Sequence, residues 1–144
     1  MYYFAYGSNC LESRMLKRCP SASVVGLDYL NDCKLVFNKK GLDKTAKANI
    51  KYSKGGVVYG IIYNITAEDL KQLDVAEGNG IHYQRTQLTT SFLREKVEVY
   101  IAVKDRTDNF IHPSKEYRDI IVQGMLQFKF DEAYINKIKQ LKVV

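Results

Sequence analysis

The sequence predicts an α+β protein built on an antiparallel sheet, closed or strongly curled, with helices at its periphery. Three observations carry this expectation. Roughly six or seven runs rich in β-branched and aromatic residues are separated by short turn signals. Val97, Val99, Ile101 and Val103 alternate strictly, the period of a strand with one buried face. Tyr117, Ile120, Ile121, Gly124, Met125 and Phe128 recur at the three-and-four spacing of one packed helical stripe.

In chain order, Tyr2 to Tyr6 is an aromatic run without helical period and predicts a buried strand. It halts at Gly7-Ser8-Asn9. Asn9 suits a helix N-cap and Glu12 follows at capping-box spacing, so a short helix carrying Leu11, Met15 and Leu16 is expected before Pro20. Four strands are expected next, at Val24 to Leu30, Cys33 to Asn38, Ala46 to Tyr52 and Val57 to Tyr63. Asn31-Asp32, Lys40-Gly41 and Gly55-Gly56 separate them. Thr66 with Asp69 opens a short helix through Leu70 and Leu73. Strands follow at Tyr83 to Phe92 and Val97 to Val103. Pro113-Ser114 starts the striped helix, and Asp131 caps a last one carrying Tyr134, Ile135, Ile138 and Leu141.

The chain has 144 residues, 46% of them hydrophobic and 26% charged, which predicts one globular domain over 1–144. The net charge is +6, but the lysines are scattered. The densest groups, Lys39-Lys40 with Lys44 and Lys47, and Lys137 with Lys139 and Lys142, form no block of like charge, so no nucleic-acid partner is expected. Cys10, Cys19 and Cys33 are odd in number and not paired at close spacing, which predicts free thiols in a reducing compartment. The first residues lack a basic segment followed by an apolar one, and no apolar stretch approaches the ~18 residues of a membrane span. The expectation is a cytoplasmic protein without a membrane partner.

Two places are suited to chemistry. At the strand–Gly7-Ser8-Asn9–helix junction, unpaired backbone N–H groups carry partial positive charge, which suits a carboxylate or a developing oxyanion. On spacing alone, a cap with no further role is the commoner meaning of such a junction. The second is Asp74 to Arg85, where Glu77 enters a turn containing Gly78 and Gly80 ahead of a strand. A carboxyl there, if buried, suits general acid/base work, although a solvated loop glutamate is commoner. Tyr117, taken with its helix alone, reads as core packing. His82 and His112 lack metal-ligand spacing, Ser8 and Ser114 lack an evident His/Asp arrangement, and no phosphate-loop or dinucleotide motif occurs.

Taken together, these segments resemble the γ-glutamylcyclotransferase-like family. The string Tyr3-Phe4-Ala5-Tyr6-Gly7-Ser8-Asn9 resembles its N-terminal signature. Leu73-Asp74-Val75-Ala76-Glu77-Gly78, followed by Tyr83, resembles its acidic motif, and Pro113 to Ile121, followed by Gly124, its C-terminal helix. Cys10 departs from the larger aliphatic residue common there. The resemblance implies a small mixed, mostly antiparallel β-barrel with flanking helices and a cavity at one end. It implies cyclisation of a γ-glutamyl amide to 5-oxoproline with release of an amine or amino acid, no cofactor and no metal. Glu77 would be the general acid/base, and Tyr3, Phe4, Ala5, Tyr6, Gly7, Ser8 and Asn9, with Tyr117, would contact the small-molecule γ-glutamyl substrate. A homodimer is among the assemblies it implies.

The residue types fit that reaction. The substrate's own α-amine closes a five-membered ring, so no protein nucleophile is needed. A partly desolvated carboxyl then moves the protons. Family members differ in the leaving amine, which is a free amino acid, a lysine side chain or part of a biosynthetic intermediate, and the C-terminal helix leans toward the first. The alternative of another class is a non-catalytic γ-glutamyl or carboxylate binder, to which Glu77 would be superfluous.

Overall fold

A computed structural model describes all 144 residues. The elements are β1 (Tyr2–Ala5), α1 (Glu12–Arg18), β2 (Ser23–Lys40), β3 (Ala46–Asn64), α2 (Ala67–Glu77), β4 (Tyr83–Thr89), β5 (Lys96–Ala102), α3 (Lys115–Gln127) and α4 (Glu132–Lys139). Short 3₁₀ turns occupy Ser8–Cys10 and Lys104–Arg106. The strands form one sheet in the order β2-β3-β1-β5-β4. β1 pairs parallel with β5 at Tyr3 and Glu98, and every other pair is antiparallel. The fold is thus mixed, mostly antiparallel and helix-flanked, as expected.

The sheet curls without closing into a strict barrel. Its edge strands, β2 and β4, share no ladder. The segment after β4 bridges them instead. Asp28 on β2 accepts hydrogen bonds from the N–H groups of Phe92 (2.9 Å) and Leu93 (3.0 Å), and Ser91 N–H donates to the Tyr29 carbonyl at 3.0 Å. This also explains why β4 stops at Thr89, short of the expected Phe92.

The four strands expected between Val24 and Tyr63 are two long ones, paired from Ser23↔Asn64 to Lys40↔Ala46. Only Lys40-Gly41 marks a reversal. Asn31-Asp32 and Gly55-Gly56 lie across from each other at a register shift between Asn31 and Cys33. Asp32 and Gly55 adopt left-handed backbone angles (φ 58 and 78), and Gly55 N–H donates to Asp32 Oδ1 at 2.9 Å. Turn-forming residues facing each other within a continuing ladder make a bulge and a bend rather than a chain reversal. The far half of the hairpin reaches β5, where Asn49 Oδ1 accepts from Ala102 N–H at 2.9 Å.

The core lies between sheet and helices, with Phe4, Met15, Ile61, Ile62, Tyr63, Leu73, Val97, Val99, Ile121 and Met125 fully buried. Three caps follow the sequence. Thr66 and Asp69 form a reciprocal capping box, Ser114 Oγ accepts from Tyr117 N–H at 3.1 Å, and Asp131 accepts from Tyr134 N–H at 3.3 Å. The expected Asn9 cap does not form. Leu11 occupies the N-cap of α1 without a side-chain bond, and Asn9 is buried. Its amide is committed elsewhere, donating to the Tyr3 hydroxyl at 3.0 Å and accepting from Arg18 Nη1 at 3.3 Å. No helix is long and apolar enough to cross a membrane.

Candidate active site

A cavity of about 380 Å³ opens where β1 ends. One wall is Tyr3 of β1 and the segment just after that strand, with Tyr6, Gly7, Ser8 and Asn9, continued by Arg14 and Arg18 of α1. The end of α2 and the following turn supply Glu77, His82 and Tyr83. The β2–β3 hairpin tip supplies Lys39, Gly41, Leu42, Asp43, Lys47 and Ala48, with Tyr100 from β5 and Tyr117 from α3. The fold therefore gathers Tyr3, Tyr6, Gly7, Ser8, Asn9, Glu77 and Tyr117 around one space. Phe4 and Ala5, expected in the contact segment, do not line it. Phe4 is fully buried and packs onto Gly60, where a Cβ would come within 2.5 Å of its ring, while the Ala5 carbonyl accepts from Cys10 Sγ at 3.2 Å.

The backbone N–H groups of Gly7, Ser8 and Asn9 donate to no acceptor within the chain. They form an uncommitted donor set on the cavity wall. Gly7 has an ordinary negative φ of −117, so its role is spatial. A Cβ there would sit 3.1 Å from Ala48 Cβ and 3.5 Å from the Tyr117 hydroxyl. The missing side chain thus makes room for the facing wall. From behind, α3 presses on the same turn at Gly124, where a Cβ would lie 2.5 Å from Leu11 N. Tyrosines brace the lining. Tyr63 donates to the Asn9 carbonyl at 2.7 Å, Tyr83 to the Ala48 carbonyl at 2.8 Å, and Tyr6 to the Tyr100 carbonyl. The Tyr117 hydroxyl accepts from Ala48 N–H at 3.0 Å and the Tyr3 hydroxyl from Asn9, so neither donates to another protein group. Burial pushes the Tyr117 hydroxyl up to about 12, which keeps that proton in place.

Glu77 is the last residue of α2, and its side chain is 17% exposed. Gly78 ends the helix in the left-handed region at φ 59, where a Cβ would also strike His82 Cδ2 at 2.7 Å. The glycine of the acidic motif thus serves both the helix end and the seating of His82. Burial raises the Glu77 pKa above the ordinary carboxylate value, and the nearby Arg18, Lys39 and Arg14 only partly offset it. Arg18 Nη1 lies 3.3 Å from Glu77 Oε1, continuing a chain that runs Tyr3–Asn9–Arg18–Glu77. One turn earlier, Asp74 Oδ1 accepts from Arg85 Nε at 2.9 Å and from the Tyr100 hydroxyl at 2.7 Å, and Arg85 also pairs with Glu98 at 3.2 Å. These bonds fix the end of α2 to β4 and β5.

Several lining residues escaped the sequence reading. Arg14 and Arg18 stand four apart on α1, directly after the turn, and that spacing places them on one helix face. It was the available signal for a cationic wall. Lys39 looked like one more lysine near a turn, yet it is only 5% exposed. Its Nζ lies 3.2 Å from His82 Nδ1 and 5.3 Å from the centre of the Tyr83 ring. Lys47 lies 4.6 Å over the Tyr117 ring and pairs with Asp43 at 3.2 Å. Four cations (Arg14, Arg18, Lys39, Lys47) thus face two carboxylates (Asp43, Glu77), an environment for an anionic ligand. No group of three or more His, Cys, Asp or Glu side chains is placed to hold a metal ion.

The comparisons with known proteins agree with this geometry. The sequence profile described as "Gamma-glutamyl cyclotransferase, AIG2-like" matches residues 3–119. The chain is 30% identical to gamma-glutamylcyclotransferase of Bos taurus over 149 aligned positions, which cover 97% of this chain and 78% of the relative. The Homo sapiens gamma-glutamylcyclotransferase is also 30% identical, with the same coverage of each. A solved gamma-glutamyl cyclotransferase structure superposes with a TM-score of 0.90 at 25% identity, covering 100% of this chain and 89% of the other. An uncharacterized protein from Homo sapiens superposes at 0.87 with 27% identity, covering 99% and 88%. With its signature turn, its partly shielded glutamate and its α3 tyrosine in one cavity, the chain belongs to the gamma-glutamyl cyclotransferase, AIG2-like, family.

Proposed function

We propose that this cavity is where the chain performs the reaction of a γ-glutamylcyclotransferase, closing the γ-glutamyl group of a γ-glutamyl amide into 5-oxoproline. The observation that carries the assignment is Glu77, a shielded carboxyl of raised pKa, in one cavity with the uncommitted N–H groups of Gly7, Ser8 and Asn9. Glu77 takes a proton from the substrate's α-ammonium. The freed amine attacks the γ-carbonyl carbon, and a new N–C bond forms as negative charge moves to the carbonyl oxygen. The turn's N–H groups stabilise that oxyanion, where losing one such donor costs about 3–4 kcal/mol in the barrier. Glu77 then returns its proton to the leaving nitrogen as the amide C–N bond breaks, and the same carboxylate passes the second proton of the ring nitrogen to the released amine, which departs as its ammonium. Substrate and products balance without water, oxidant or cofactor. Ring closure within one molecule supplies the proximity advantage that an enzymatic nucleophile otherwise provides.

The Tyr3 and Tyr117 hydroxyls retain their protons for the glutamyl group, and Arg14 faces its α-carboxylate from the same wall as the turn. Incubation with γ-glutamyl-alanine tests the reaction. The products expected are 5-oxoproline and alanine in equal amounts. Glutamate and alanine would show hydrolysis and reject the cyclisation.

A further inference from the structure

Ion pairing within the cavity is incomplete in an informative way. Arg18 pairs with Glu77 and Lys47 with Asp43, leaving Arg14 and Lys39 with no carboxylate of the protein. Arg14 Nε is buried with no hydrogen-bond partner, and Lys39 has only the imidazole of His82. A lysine this buried normally faces an acid. Here it is held instead by a neutral acceptor and an aromatic face. Burial, with the charges of Lys39 and Arg106, lowers the His82 pKa, so the ring stays neutral and offers Nδ1 as acceptor. That contact uses one of the three ammonium protons, and the other two have no acceptor in the chain.

The two uncommitted cations enter from different walls. Arg14 belongs with the Gly7-Ser8-Asn9 turn, on the side assigned above to the glutamyl group. Lys39 comes from the hairpin tip beside Gly41, Leu42 and Asp43 and faces the His82–Tyr83 segment. A γ-glutamyl amino acid carries two carboxylates and one ammonium, and Glu77 answers the ammonium. We propose that Lys39, oriented by His82, is the specificity-determining residue of the leaving-group side and binds a carboxylate on the departing amine. The proposal rests on the cyclisation reading above. It makes γ-glutamyl amino acids better substrates than γ-glutamyl amides of simple amines.

The test compares kcat/KM for γ-glutamyl-alanine and γ-glutamyl-ethylamide, which lacks only the carboxylate of the leaving group, in the wild type and in Lys39→Met. The wild type is expected to prefer the alanine compound by about tenfold to hundredfold, the size of one charge-assisted hydrogen bond. Because Lys39 also helps hold the Glu77 pKa down, both proteins are compared on the high-pH plateau of their kcat/KM profiles, where Lys39→Met, which keeps the apolar stem, is expected to lose most of that preference by slowing the alanine substrate about tenfold or more beyond any change with the ethylamide. Equal losses on both substrates would overturn the assignment of Lys39. Equal kcat/KM for the two substrates in the wild type would overturn it as well, whether or not the variant folds. Absence of 5-oxoproline from both substrates with the wild type would refute the reaction itself, a result distinct from either.

Discussion

A carboxyl at the C-terminal end of a helix and shielded from water is disfavoured twice in its ionised form, by lost hydration and by the negative end of the helix dipole. Glu77 occupies such a place, and its folded pKa is raised, first by burial. Below the unfolded value the group is protonated in both states and contributes no penalty. As pH rises through the window between the unfolded and the raised folded values, the folded state loses stability relative to the unfolded one. Glu77→Gln is therefore expected to melt at a higher temperature than wild type at pH 7, with the gain shrinking in acid. Melting curves at the two pH values check this. Arg18 is the strongest of the cations holding that pKa down. Arg18→Met is expected to raise it further and move the ascending limb of the kcat/KM–pH profile to higher pH. An unmoved or lowered limb would remove Arg18 from the role. At this scale the sequence showed the signature residues through their resemblance. It could not show Lys39 or assign Asn9 correctly, because burial and hydrogen-bond partners are tertiary facts. Asn9 fits a cap by spacing, but its amide is claimed by Tyr3 and Arg18 from other parts of the fold.

Elements built on local chemistry were legible, and elements built on long-range pairing were less so. The Thr66, Ser114 and Asp131 caps form as their sequences suggest, because a cap needs only its own first turn. The β2–β3 hairpin was divided wrongly at Asn31-Asp32 and Gly55-Gly56. Either dipeptide alone suits a turn, and only their meeting across the ladder makes a bulge. The same long-range logic governs α3. Its Gly124 lets the helix touch the backbone of the turn behind the cavity. Gly124→Ala would force a Cβ against Leu11 N and the Cys10 carbonyl carbon, both backbone atoms that cannot swing aside. The expected cost is about 1–3 kcal/mol of stability. A parallel loss of kcat/KM is expected as the turn's N–H groups shift. Urea denaturation and steady-state kinetics measure the two effects, and a fully active, fully stable variant would contradict the packing argument.

Over the whole molecule, the cavity depends on a sheet that curls without a closing ladder. Asp28 is the clasp, joining the β2 edge to the segment after β4. Burial works to raise its pKa, but the neighbouring Thr90 hydroxyl and hydrogen bonds from the N–H groups of Phe92, Leu93 and Tyr29 outweigh burial and hold it below the ordinary value. Its stabilisation is therefore present above the unfolded pKa and lost as pH falls through the folded one. Asp28→Asn replaces an acceptor facing several donors with an amide that is itself half donor. A loss of about 1–3 kcal/mol is expected at pH 7, shrinking in acid. Equal urea midpoints for variant and wild type at pH 7 would contradict the clasp. Alternation and turn spacing indicated strands and curvature, but not whether the edges would pair or be bridged by a loop. What the curl brings together is Glu77 and the Gly7-Ser8-Asn9 donors, far apart in sequence. The most direct measurement of that pairing follows 5-oxoproline release from γ-glutamyl-alanine by wild type and Glu77→Gln. Turnover by the wild type, and a loss of about 10²–10⁴-fold in a folded variant, is the predicted result. A folded Glu77→Gln protein that releases 5-oxoproline at the wild-type rate would contradict it.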